Sequence, residues 1–172
     1  IIKLEQVNAI FEKIVKQNSL FDKKNIKISI DTEKLNLIKV NLSKVNENFK
    51  DNQIEQTLTQ GRFLGNYFKF CEEFEKNFDE LIKLSWKKYC GSKYNRESYS
   101  TLNSSVIKTP ENKKTLDLFF NQYSNFSKAL QNPSFEESDF EEINKITDEL
   151  NKLRTDIKEN YHEDVKKFLD EI

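Results

Sequence analysis

Methionine is absent from this 172-residue chain, and histidine occurs once, at His162. A single imidazole removes most metal and acid–base chemistry at the outset. Glu159 and His162 stand in the Glu-x-x-His spacing that di-iron helical bundles use, but those sites need the motif twice and no second histidine exists. Zinc sites built from paired Cys and His are excluded as well, since neither C-x-x-C nor H-x-x-x-H occurs. Three glycines, Gly61, Gly65 and Gly91, cannot make a glycine-rich phosphate loop.

The two cysteines, Cys71 and Cys90, are 19 residues apart. On one helix, at ~1.5 Å rise per residue, that places them ~28 Å apart, far beyond disulfide reach. Reduced, half-buried thiols in a reducing, cytoplasmic setting are the expectation. His162 has no spacing that brings it to either thiol, so nucleophilic catalysis lacks its base. Carboxylate pairs such as Glu72-Glu73 and Glu136-Glu137 are common in a chain that is 33% charged, where they form solvated faces. No enzyme activity, cofactor or metal is expected.

Long hydrophobic runs are missing too. No stretch approaches the ~18–20 continuous apolar residues of a membrane span, and no signal-peptide pattern is present. Arginine appears only at positions 62, 96 and 154 and alanine only at 9 and 129, while Lys and Asn abound. This is the composition of an AT-rich genome, and it weakens any reading built on lysine or asparagine counts alone. An amphipathic pattern (Leu4, Val7, Phe11, Ile14) is already running at the first residues, where no Met stands. A fragment of a larger protein is the expectation, a processed mature form the alternative.

What the chain does have is apolar residues spaced alternately by three and four. The clearest runs are Leu35-Ile38-Leu42-Val45-Phe49, Leu116-Phe119-Tyr123-Phe126-Leu130 and Ile143-Ile146-Leu150-Leu153-Ile157. That spacing gathers the side chains into one seam of an α-helix, to be buried against another helix. Hydrophobic residues make up only 36%, so the seams are narrow. The reading is one all-α domain over 1–172: an elongated bundle of five to six helices with coiled-coil-like heptad seams.

Helices are expected at about 2–18, 32–50, 53–90, 110–131 and 135–159, with a restart at Asn160 and Glu163. Asp31 or Thr32 caps the second. Helix 53–90 carries two apolar edges, Phe63-Tyr67-Phe70-Phe74 and Leu64-Phe68-Cys71-Phe78-Ile82, which suits a central helix covered on more than one side. Gly61 and Gly65 suggest a close contact or a kink, and Gly91 a C-terminal cap. Thr109-Pro110 reads as an N-cap followed by proline at the first helical position. Ser134 with Glu137, or Ser138 with Glu141, fits a capping box. Ile26-Lys27-Ile28-Ser29-Ile30 alternates with the period of a strand. It either pairs with 105–108 as a minor ribbon, pairs with another chain, or is an extended linker.

Net charge is −1, but residues 131–172 hold 13 acidic and 6 basic side chains, a balance of −7, and residues 1–130 hold 16 and 22, a balance of +6. Either the acidic helices pack on the basic remainder, or one face meets a charged partner. The patch with most chemical character is Lys83, Trp86, Lys87, Lys88, Tyr89, Lys93, Tyr94 and Arg96. Within it and the loop beyond, Trp86, Tyr89, Lys93, Tyr94, Arg96 and Tyr99 are the candidate partner-binding residues, since Trp, Tyr and Arg mark protein hot spots and loops on rigid scaffolds often bind. Basic residues among aromatics also suit nucleic acid, although near-neutral charge argues against a dedicated binder. The functional expectation is a non-catalytic helical protein–protein interaction or scaffolding domain. The alternatives are a helical arm or accessory domain of an ATPase or nucleic-acid-processing machine, and an extracellular helical surface antigen.

Overall fold

A computed structural model describes residues 2–50, 61–94, 102, 106 and 109–170. The structure is 87% helical. Its helices are α1 (Ile2–Lys23), α2 (Thr32–Lys50), α3 (Arg62–Lys93), α4 (Pro110–Gln131) and α5 (Glu137–Asp170). The all-α expectation holds, and there is no strand among the described residues. None of the described helices is long and apolar enough to cross a membrane. The chain forms two compact units, 1–85 and 86–172, whose boundary falls inside α3.

In the first unit α1 buries Val7, Ile14 and Phe21, a strict seven-residue spacing. It runs past the expected end at 18 to Lys23, where the chain turns through Asn25 at φ 59°. The N–H of Ile26 donates to the Phe21 carbonyl at 3.0 Å and that of Asn25 to the Asp22 carbonyl at 2.9 Å. This is a Schellman closure, with asparagine in the left-handed position that few other L-residues tolerate. The 26–30 segment then continues without forming a strand, so a ribbon with 105–108 does not form from it; residues 105, 107 and 108 lie outside the described residues. Its alternation instead drops one side chain, Ile28, into the core.

Asp31 caps α2, its Oδ1 accepting from the N–H groups of Glu33 and Lys34, both at 3.1 Å. Asp31→Ala removes the acceptor for both and should lower unfolding stability by about 1 kcal/mol, measured by urea denaturation. The buried stripe of α2 is Ile38, Asn41 and Val45, and Leu42 lies at the exposed edge of the seam expected from sequence. Asn41 can take a core position because its Nδ2 donates to the Leu37 carbonyl of its own helix at 2.8 Å.

On α3 the buried residues are Tyr67, Cys71, Phe74, Phe78, Ile82, Trp86 and Cys90, with Tyr94 just beyond the last turn. All but one of these steps is four residues. At ~100° per residue, a step of four overshoots a full turn by ~40°, so the stripe winds around the helix. The stripe draws on both apolar edges visible in the sequence, Tyr67 and Phe74 from one and Cys71, Phe78 and Ile82 from the other, and leaves Leu64, Phe68 and Phe70 half-buried. Lys13 of α1 meets Glu75 at 3.1 Å and Asp79 at 2.9 Å on α3, and Phe11 packs on Phe74 at 6.2 Å between ring centroids.

The cap expected at Gly91 and the close contact expected at Gly65 are not found. Gly91 is inside α3 rather than at its cap, and neither Gly65 nor Gly91 has a positive φ. A Cβ at either position would meet nothing within 4 Å, so no close approach explains Gly65. Gly65→Ala and Gly91→Ala should each stabilise the protein by about 0.5–1 kcal/mol, because alanine loses less backbone entropy on entering a helix. Thermal melts would show this as a rise of roughly 1–4 °C per substitution.

In the second unit α4 begins and ends where the sequence indicates. Thr109 Oγ1 accepts from the Asn112 N–H at 3.1 Å ahead of Pro110. The link to α5 passes through Phe135 at φ 60°, a left-handed conformation that a bulky side chain adopts only when its surroundings hold it. The α5 cap uses neither serine pair: Asp139 Oδ2 accepts from the Glu136 N–H at 2.8 Å. The expected restart at Asn160 is also absent, and α5 runs unbroken for 34 residues. An asparagine inside a helix costs at most about 0.7 kcal/mol, less than the backbone hydrogen bonds that a break would give up. Leu116, Phe119 and Phe126 of α4 and Ile143, Ile146, Leu150 and Ile157 of α5 are buried, as their seams require, and the two helices pack along one another.

Candidate interaction surfaces

The end of α3 is where the sequence reading placed partner contacts. Two of its aromatics are core residues. Trp86 is 1% exposed and is enclosed by Phe140 at 5.1 Å, Tyr89 at 5.9 Å and Phe135 at 6.3 Å between ring centroids. Tyr94 is 4% exposed and packs on Phe126, Phe119 and Tyr123 of α4 at 5.8–6.4 Å. Neither ring is presented to solvent; both were drawn inward because their spacing continues the α3 stripe. Tyr89 is half-buried, its hydroxyl donating to Asn144 Oδ1 at 3.0 Å, and exposed Lys93 lies over its ring at 5.4 Å. Arg96 and Tyr99 lie outside the described residues. Of the patch named from the sequence, Lys83, Lys87, Lys88 and Lys93 are exposed.

The same contacts bring the basic end of α3 against the start of α5, where Glu136, Glu137, Asp139, Glu141 and Glu142 gather.

Both thiols are fully buried. Burial pushes Cys71 up to about 11, a hydrogen bond with Tyr67 notwithstanding, and pushes Cys90 up to about 12. Such groups stay protonated and inert at neutral pH. Among the described residues no group of three His, Cys, Asp or Glu could hold a metal ion.

A feature the sequence reading did not single out is a groove along α4 and α5. Two adjoining cavities of about 320 Å³ and about 380 Å³ share Gln122, Asn125 and Glu149. The α4 wall is Leu118, Gln122, Asn125 and Ala129, spaced four, three, four. The α5 wall is Glu142, Ile146, Glu149, Leu153 and Asp156, spaced four, three, four, three. The α4 row lies beside the stripe that closes the core, whereas the α5 row shares Ile146 with it, so the groove floor is the edge of the core. Gln122 Nε2 donates to Glu149 across the floor, and Leu118 at the rim is 49% exposed. The periodicity was legible in the sequence, but its charged members made it look like an ordinary solvated face.

Compared with protein-family models, curated proteins and solved structures, the chain matches none.

Proposed function

We propose that this chain is a non-catalytic, helical protein-interaction module. The observation that supports this reading is the α4–α5 groove: two parallel rows of side chains at helical spacing, open to solvent, with a half-exposed leucine at the rim. Grooves of this kind accept an amphipathic helix through anchors three, four and seven residues apart. The exposed Lys87, Lys88 and Lys93 next to Tyr89 favour a second reading, an arm or accessory domain that touches nucleic acid through its phosphates.

Photo-crosslinking distinguishes the two. A photoreactive residue at Leu118, at Lys93, or at exposed Lys76 on α3 as the control would be introduced in cells of the source organism. The expected result is a discrete protein adduct at Leu118 or Lys93 and none at Lys76. Nucleic acid attached at Lys93 would favour the second reading, and equal diffuse labelling at all three positions would refute both.

A further inference from the structure

We propose that the α4–α5 groove seats a partner helix whose buried seam alternates apolar residues with lysine or arginine at heptad spacing, flanked by acidic residues. This rests on the interaction reading above and names the chemistry of its partner.

The argument is one of complementarity. Along the α5 wall, Glu142, Glu149 and Asp156 recur every seven residues, and between them fall Ile146, buried where the groove floor meets the core, and half-buried Leu153, also seven apart. A helix lying along this wall passes carboxylate and hydrocarbon in turn, so its own seam must supply cations and apolar groups in turn. Leu118 adds a second apolar contact at the Leu153 end. Lysines occupy the outer rims: Lys145 and Lys152 on α5, seven apart, and Lys128 on α4. Those positions correspond to the flanks of a docked helix, where acidic residues would pair with them.

The charges are free to do this. Opposite signs stand three and four residues apart along α5, yet none of Glu142, Lys145, Lys152 and Asp156 forms an ion pair with another described residue. Glu149 is half-buried and takes an amide from Gln122 rather than a cation. A carboxylate held in that way gains more from an incoming ammonium or guanidinium than a fully solvated one does. The groove from Leu118 to Ala129 spans eleven residues of α4, roughly 16 Å or three helical turns.

The test uses the full chain and a stapled helical peptide of about 20 residues, long enough to cover the groove. Its seam carries Leu and Lys in alternation and its flanks carry Glu. The controls are a peptide with the seam lysines changed to Glu and one of the same composition in scrambled order, which removes non-specific attraction to the acidic region. Binding is read by fluorescence anisotropy at two salt concentrations. The expected result is saturable binding of the patterned peptide, at least about tenfold weaker for both controls, and weakened by Glu149→Lys and by Leu118→Asp. Leu118 is exposed, so its variant keeps the fold, which circular dichroism would verify. Equal binding of the scrambled peptide, or indifference to both variants, would overturn the proposal. So would concentration-dependent self-association of the chain lost with Glu149→Lys, because a second copy would then occupy the groove. Failure here alongside a protein crosslink at Lys93 would leave the interaction reading intact and remove only this site.

Discussion

Trp86→Ala is expected to lower unfolding stability by about 3–5 kcal/mol, the range for removing a large aromatic from a packed core. The indole is 1% exposed, and Phe140, Phe135 and Tyr89 pack on it, the two phenylalanines edge-on and Tyr89 stacked. Alanine would leave a cavity that these rings cannot close, because Phe135 is already held in a left-handed backbone conformation. Trp86→Phe should cost distinctly less. It keeps a ring in the site and removes Nε1, a buried donor with no hydrogen-bond partner, whose desolvation opposes folding by about 1–3 kcal/mol. Urea denaturation followed by far-UV circular dichroism gives both values. Near-equal losses for the two variants would show that the cavity does not govern the effect. The burial of Trp86 and Tyr94 also changes how binding data should be read: Tyr94→Ala, like Trp86→Ala, would act on a partner through the fold. Lys93 is the candidate whose substitution reports contact directly.

The second large effect is on pH. Stability should be flat through neutrality and fall steeply between about pH 9 and 12. Burial raises Cys71 to about 11 and Cys90 to about 12, from an ordinary value of 9.0. Burial and the neighbouring Cys71 also raise Tyr67. For Lys13, burial works the other way but is outweighed by hydrogen bonds and charge from Asp79 and Glu75, so it too ends above its ordinary value. Each group binds its proton more tightly folded than unfolded. Its contribution is therefore complete below the unfolded value and is lost as pH rises through the folded one. Each thiol can contribute a slope of up to about 1.4 kcal/mol per pH unit in that window; Lys13, being partly solvated, contributes less. Urea midpoints measured from pH 7 to 11 would show the decline, and Cys71→Ser with Cys90→Ser should flatten it even though each variant starts less stable. A midpoint unchanged between pH 8 and 11 would contradict the burial of both thiols.

Periodicity carried most of the fold. In the seams of α4 and α5, Leu116, Phe119, Phe126, Ile143, Ile146, Leu150 and Ile157 are buried while Tyr123, Leu130 and Leu153 are half-buried; α2 begins where Asp31 indicates, and α4 begins and ends where Thr109 and Asn132 do. These features are local: a cap or a 3–4 spacing is a property of consecutive residues. What consecutive residues could not decide was competition between alternatives of similar local energy. Gly91 and Asn160 look like helix ends, yet α3 and α5 run through them, because ending a helix gives up backbone hydrogen bonds that a small propensity cost does not offset. Leu42 and Asn41 exchanged roles on α2 because side-chain hydrogen bonding within the helix made the asparagine acceptable in the core. The 26–30 alternation fits a strand or an extended connector equally, and the difference lies in whether a partner edge exists. The sites diverged furthest from the sequence reading. Trp, Tyr and Arg near a loop have the composition of a hot spot, but composition does not say which way a ring points, and the winding of the α3 stripe turned Trp86 and Tyr94 inward. The α4–α5 groove belongs to neither helix alone: Leu118, Gln122, Glu149 and Leu153 become one surface only when two helices distant in sequence pack side by side.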